Sequence, residues 1–239
     1  MKMYRRLKLV ILCLLWHGST LAQMERQWIL DGQLRNFGYD LGFGYQQGLK
    51  DQSQKKGYGV RIGSMNSPKE IYVINNTLPG SQPFKIDKVN YAWVLRPYVS
   101  FHHDFTQRKS RNEVGMSIFG SAQLPVAYSW PIYIWLYEGN SPFDGYSDVQ
   151  YNPEIHDSRL IGGTASFTRG FGKGRFTPGL GLSGGVSLEW GSYRSMSNVL
   201  SFGVMTDAFV QKIQIMHTTE NNAFIFPMLF VNFAFGFGK

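Results

Sequence analysis

The sequence predicts an all-β chain, a transmembrane antiparallel up-and-down β-barrel of eight strands. Three observations carry that expectation. Large and small side chains alternate with a period of two in stretch after stretch, an export signal opens the chain, and no later run holds the roughly 18 consecutive apolar residues of a membrane helix.

The alternation is clearest in FTPGLGLSGGVSLEWG, residues 176–191. Phe176, Pro178, Leu180, Leu182, Val186, Leu188 and Trp190 fall on even positions. Thr177, Gly179, Gly181, Ser183, Gly185, Ser187, Glu189 and Gly191 fall on odd ones. Successive side chains of a strand point to opposite faces, so one face here is large and apolar and the other small or polar. The embedded GLGLSG has the glycine spacing of a dinucleotide loop. Such a loop must open a helix, and no helical period follows Gly184, so no nucleotide is expected.

Seven further stretches repeat the pattern: 36–46, 57–63, 89–102, 112–124, 161–171, 198–211 and 223–238. A soluble sandwich would place long polar side chains on its outer face. Here the second face is mostly Gly, Ser and Ala, which suits a crowded lumen behind an apolar wall facing lipid. Trp130, Tyr133, Trp135, Tyr137, Tyr58, Trp190 and Tyr193 fall near strand ends, where interfacial aromatic girdles sit. Gln123–Pro125 is the expected break in the fourth stretch, because proline is poorly placed within a sheet. The final NFAFGFGK resembles the terminal strand signal of bacterial outer-membrane barrels, with Phe237 as its aromatic and Lys239 after it.

Lys2, Arg5, Arg6 and Lys8, the apolar Leu7–Trp16 and the small residues before Gln23 read as a secretory signal peptide over 1–22. Residues 23–35 are then expected as an N-terminal periplasmic segment and 36–239 as the barrel, in the outer membrane of a Gram-negative cell. The only cysteine, Cys13, falls within the signal. The formal charge of +8 drops to about +4 without the signal, which leaves no footprint for nucleic acid.

The small-residue face carries Asp40, Arg61, Arg96, Glu189 and Asp207. Charges in a narrow lumen are costly unless paired. These five are therefore expected to form a lumen charge network, with Arg96 paired to Glu189 or Asp207. His102, His103 and Asp104 end a strand, but adjacent strand residues point apart, so no metal site is expected. No serine and carboxylate accompany a histidine in a local motif, so no catalytic set and no cofactor are expected. His156 falls in the polar loop YNPEIHDSR.

KVNYAWVLRPY (88–98), the basic turn Arg108–Arg111, WPIYIWLY (130–137), YNPEIHD, IGGTASFTRGF, FTPGLGLSGG and IQIM (213–216) together resemble a family of small outer-membrane barrels from Bacteroidota. The resemblance covers about residues 85–239 and departs from the family at the position before Pro131, where a lysine is lacking. It implies no catalytic residue. It implies an accessory barrel of a larger envelope complex, such as a barrel insertase or type 9 secretion assembly, with lipid and protein subunits as partners. Counting strands back from a periplasmic C-terminus places segments 65–88 and 138–160 on the periplasmic side, the reverse of ordinary barrels. Phe143, Tyr146, Tyr151 and His156 of the second segment are the expected partner contacts. The expected function is thus a non-enzymatic accessory subunit, with a lipid-modifying enzyme or a small channel as the alternatives.

Overall fold

The computed structural model describes residues 26–49, 53–78, 80–106, 113–137, 145–192, 196–218 and 222–238. The signal segment lies outside them. The strands are β1 (Arg26–Arg35), β2 (Gly38–Gly48), β3 (Gln54–Met65), β4 (Ile71–Val73), β5 (Phe84–Ile86), β6 (Asn90–Thr106), β7 (Gly115–Gln123), β8 (Val126–Pro131), β9 (Tyr133–Tyr137), β10 (Tyr146–Gln150), β11 (Ile161–Thr164), β12 (Arg175–Ser192), β13 (Met196–Phe209) and β14 (Ile225–Gly238).

Nine of these strands join in one antiparallel sheet that closes on itself, because β1 pairs with both β2 and β14. β7 and β8 are two halves of one stave, each bridging β6 and β12, so the ring has eight staves. The stave breaks at Leu124–Pro125, where proline has no amide to give the ladder. Its carbonyl still accepts from Gly179 at 2.8 Å.

The strand count agrees with the sequence reading, but two strands are exchanged. Residues 26–35, expected as a periplasmic segment, form β1. Its outward Trp28, Leu30 and Leu34 are exposed, and its inward Asp31, Gln33 and Arg35 are buried. Gly32 at an outward position and the charged inward set hide the alternation. Conversely, residues 161–171 do not enter the barrel. Only Ile161–Thr164 is extended, and it pairs with β9 in a separate three-stranded sheet, β10–β9–β11. The chain then folds into local turns, with Arg169 N donating to Ser166 O at 2.9 Å and Phe171 N to Thr168 O at 3.1 Å.

That exchange reverses the placement of the long segments. Gln27 lies opposite Gly238 and Arg26 opposite Gln47, so the β2–β3, β6–β7 and β12–β13 connections share an end with the chain termini. These connections are short. The long ones, 66–89 and 132–174, together with 210–224, gather at the other end. Outer-membrane barrels keep short turns in the periplasm and long loops outside. The expected periplasmic position of 65–88 and 138–160 is therefore corrected: removing one false strand shifts the parity of everything before it.

The outer wall is apolar around the ring. Leu34, Leu41, Ile62, Val99, Ile118, Leu182, Val204, Leu229 and Val231 are all exposed. A surface of this extent and composition calls for an apolar solvent. Trp28, Tyr45 and Tyr58 meet at the short-turn rim, with ring centroids 5.0 and 5.4 Å apart. Tyr133, Trp135 and Tyr137, expected in a girdle, instead belong to β9 beyond the barrel. Tyr193 lies outside the described residues.

A cysteine in place of the exposed Ser158 should react with a membrane-impermeant thiol reagent on intact cells. One in place of Gln54, at the short-turn end, should react only after permeabilisation. The opposite pattern would show that the barrel is inverted.

Candidate functional site

The lumen is crossed at mid-height by an ionic layer. Arg96 on β6 is fully buried and sits between two carboxylates: Nη1 lies 2.8 Å from Asp40 Oδ1 and Nε lies 2.9 Å from Asp207 Oδ2. Arg35 on β1 reaches the same Asp40, with Nη2 donating to Oδ1 at 2.9 Å and Nε lying 2.7 Å from Oδ2. Gln123 Nε2 donates to the other Asp207 oxygen at 2.8 Å. Two guanidiniums and two carboxylates thus cancel. Beside them Arg61 pairs with Asp31 at 2.7 Å and stacks over Tyr98 at 4.3 Å.

Small residues make the room. A Cβ on Gly42 would strike Asp31 and come within 2.8 Å of Arg61, and one on Gly181 would lie 2.5 Å from Asp207 and 2.7 Å from Gln123. Gly181, within the stretch 176–191, is thus a space that the side chains of Asp207 and Gln123 fill.

All five expected network residues face the lumen, but they form more than one group. Asp40, Arg96 and Asp207 meet directly. Arg61 pairs with Asp31 of the missed strand, and Glu189 accepts from Lys55 at 3.0 Å near the short-turn mouth, where Asp104 lies 3.1 Å from the same ammonium. Arg35, Asp31 and Lys55 escaped the sequence reading. The first two lie on β1, whose alternation Gly32 and its charged inward face hide.

Below the ionic layer lies a cavity of about 70 Å³, lined by Tyr98, Ser100, Ser121, Ser187, Ser201 and Asn232 among others. It has room for waters but not for a typical organic ligand, which needs on the order of 300 Å³ or more. His102 borders it, with Nε2 3.2 Å from Ser100 Oγ and its ring stacked on Phe119 at 5.3 Å.

Above the layer the lumen is apolar. Met65, Val94, Met205, Phe209, Phe226 and Met228 pack with Ile213, Ile215 and Met216, which drop into the mouth from the β13–β14 connection. That plug is strapped in place. Asn222 accepts from Ile215 N and Met216 N, each at 2.9 Å, while Val89 N donates to Ile215 O at 2.9 Å.

The long connections form a cap with its own core of Phe84, Ile132, Ile134, Tyr151 and Ile161. Under it Lys88, 2% exposed, lies 2.7 Å from Glu70, which also meets Lys85. Burial pushes the Lys88 ammonium down to about 8. Burial alone would raise Glu70, but Lys88 and Lys85 outweigh it and hold the carboxyl below its usual value. Of the expected partner contacts, Tyr146 is exposed on β10, and Phe143 lies outside the described residues. Tyr151 is 5% exposed and accepts from Asp87 N at 3.3 Å, so it is a core residue and not a surface contact. His156 accepts at Nδ1 from Asn152 N at 3.2 Å, which fixes the loop locally.

No family model and no curated protein matches the chain. Among solved structures the chain is similar to Neisserial surface protein A, NspA, at 10% identity and a TM-score of 0.39, over 90% of this chain and 96% of that one.

Replacing Arg96 with Met should leave Asp40 and Asp207 without their shared partner. The expected loss is about 3–5 kcal/mol in unfolding from detergent micelles. A change within error would mean that the layer does not hold the barrel together.

Proposed function

We propose that this chain is an integral outer-membrane β-barrel that acts as a non-catalytic accessory subunit of an envelope assembly, with its cap as the docking face. The observation that carries the reading is the contrast between the two ends of the molecule. The lumen is filled by paired charges and an apolar plug, while the long connections build a separate folded unit beyond the membrane belt. A barrel that invests its long loops in a packed cap presents a fixed surface. Exposed Ile71, Tyr72, Ile74 and Ile155 give that surface the apolar residues a partner contact uses. The apolar outer wall supports the membrane location, and the resemblance to small accessory barrels of Bacteroidota supports the role.

Photo-reactive phenylalanine analogues at Tyr72 and Ile155 should form discrete cross-linked products with other envelope proteins in intact cells. The same analogue at Leu182, on the lipid-facing wall, should give none. A barrel that purifies from native envelopes as a lone monomer, with no cap cross-links, would refute the accessory role.

A further inference from the structure

One patch of the outer wall is built differently from the rest. Tyr91 and Trp93 of β6 and Tyr128 and Trp130 of β8 alternate with the lumen-facing Ala92, Val94 and Ala127, so they point outward. Yet Trp130 is 1% exposed. The segment after β11 folds down over it. Trp130 Nε1 donates to Phe167 O at 3.1 Å, and Tyr128 Oη donates to Phe171 O. The Phe167 ring lies 4.9 Å from Tyr91 and 5.0 Å from Trp130, and Phe171 lies 5.0 Å from Tyr128 and 5.1 Å from Trp130. The result is an aromatic shelf fixed to the rim at the long-loop end.

The shelf's free surface combines two features. Phe167, Phe171 and Phe176 are exposed, and Leu180 and Leu182 continue from Phe176 along β12 into the apolar belt. Among these rings stand Arg169 and Lys173, and no Asp or Glu occurs between Asp157 and Glu189. Arg169 has a partial counter-ion in Asp148, 3.4 Å away. Lys173 donates to the neutral Tyr133 Oη at 2.8 Å and has no carboxylate partner among the described residues. Arg175 stands opposite Ser129, on the lumen side of β12, and does not join this surface.

Cations set at the edge of an apolar wall complement an occupant that carries its anionic group directly above hydrocarbon. Aromatic rings favour the same boundary. We propose that the shelf over residues 166–173 binds the phosphate-bearing headgroup of a membrane lipid, with Lys173 and Arg169 on the phosphate and Phe171 and Phe176 against its glycerol or sugar and upper acyl chain. The site rests on the reading of the barrel as membrane-inserted and specifies the lipid chemistry that one part of its wall selects.

Native mass spectrometry of the full barrel in a neutral detergent tests this. The probes are phosphatidylglycerol and phosphatidylcholine with identical acyl chains. The anionic lipid should bind more tightly. A Lys173→Gln, Arg169→Gln variant should lose that preference by roughly fivefold per charge removed at low salt, while Lys173→Arg, Arg169→Lys should keep it. Equal binding of the two lipids, or an unchanged preference in the Gln variant, overturns the site. Inorganic phosphate alone binding as well as the lipid would show that the aromatic shelf contributes nothing, and overturns it too. A chain that stays dispersed with no detergent refutes membrane insertion itself, a result separable from loss of lipid preference in a barrel that still needs detergent.

Discussion

An ionised group in a narrow, dry lumen must have its counter-charge within contact distance, because the desolvation penalty of each ion is several kcal/mol. Arg96 meets that condition by bridging Asp40 and Asp207, and much of the barrel is arranged around the bridge. Arg35 supplies the second positive charge, and Gln123 takes the remaining Asp207 oxygen. Gly42 and Gly181 leave the volume that these long side chains need. The ions link β1, β2, β6 and β13, and Gln123 adds β7, so the layer ties together staves that are not neighbours in the ring. Hydrophobic residues of the same volume would be at least as stabilising in general. The ionic set adds a register requirement, since one misplaced strand would leave a buried charge alone.

The filling is graded along the axis. Apolar side chains close the long-loop end, ions occupy the middle, and hydroxyls with a small cavity line the short-turn half. The gradient matches what closes each end. Of the buried plug residues, Ile215 and Met216 are held by Val89 and Asn222, and Ile213 N donates to Ala223 O at 2.9 Å. Among the described residues, Lys55, Asp104 and Glu189 meet across the short-turn mouth, and water can hydrate the serines behind them.

How much of this was legible in the sequence follows from the physics of each element. The barrel was, because lipid on one side and a crowded lumen on the other impose period two on every strand, as in 176–191 and 223–238. β1 was not, because its inward face is charged and Gly32 interrupts its outward face. The segment 161–171 misled because Ile161, Gly163, Ala165 and Phe167 alternate for a few residues before the turn bonds at Ser166 and Thr168 end the strand. The Arg96–Asp207 contact was legible as a need for pairing, since both residues lie on the small face. Glu189 offered itself equally well, and only the barrel's shear, which sets it beside Lys55, separates the two carboxylates. Tyr151 read as a surface aromatic because its loop is polar. Its burial depends on contacts with Phe84 and Ile132 from distant segments, which no local pattern reveals.

The lumen of this barrel is closed by the ionic layer and the apolar plug, and the accessory reading proposed above rests on that closure. The most direct test is electrical. Purified, folded wild-type barrel inserted in a planar bilayer should give no single-channel current steps in simple salt at moderate voltage, because ions would have to displace both the ionic layer and the plug. Reproducible steps of uniform size from correctly folded protein would show a continuous water path and contradict the account.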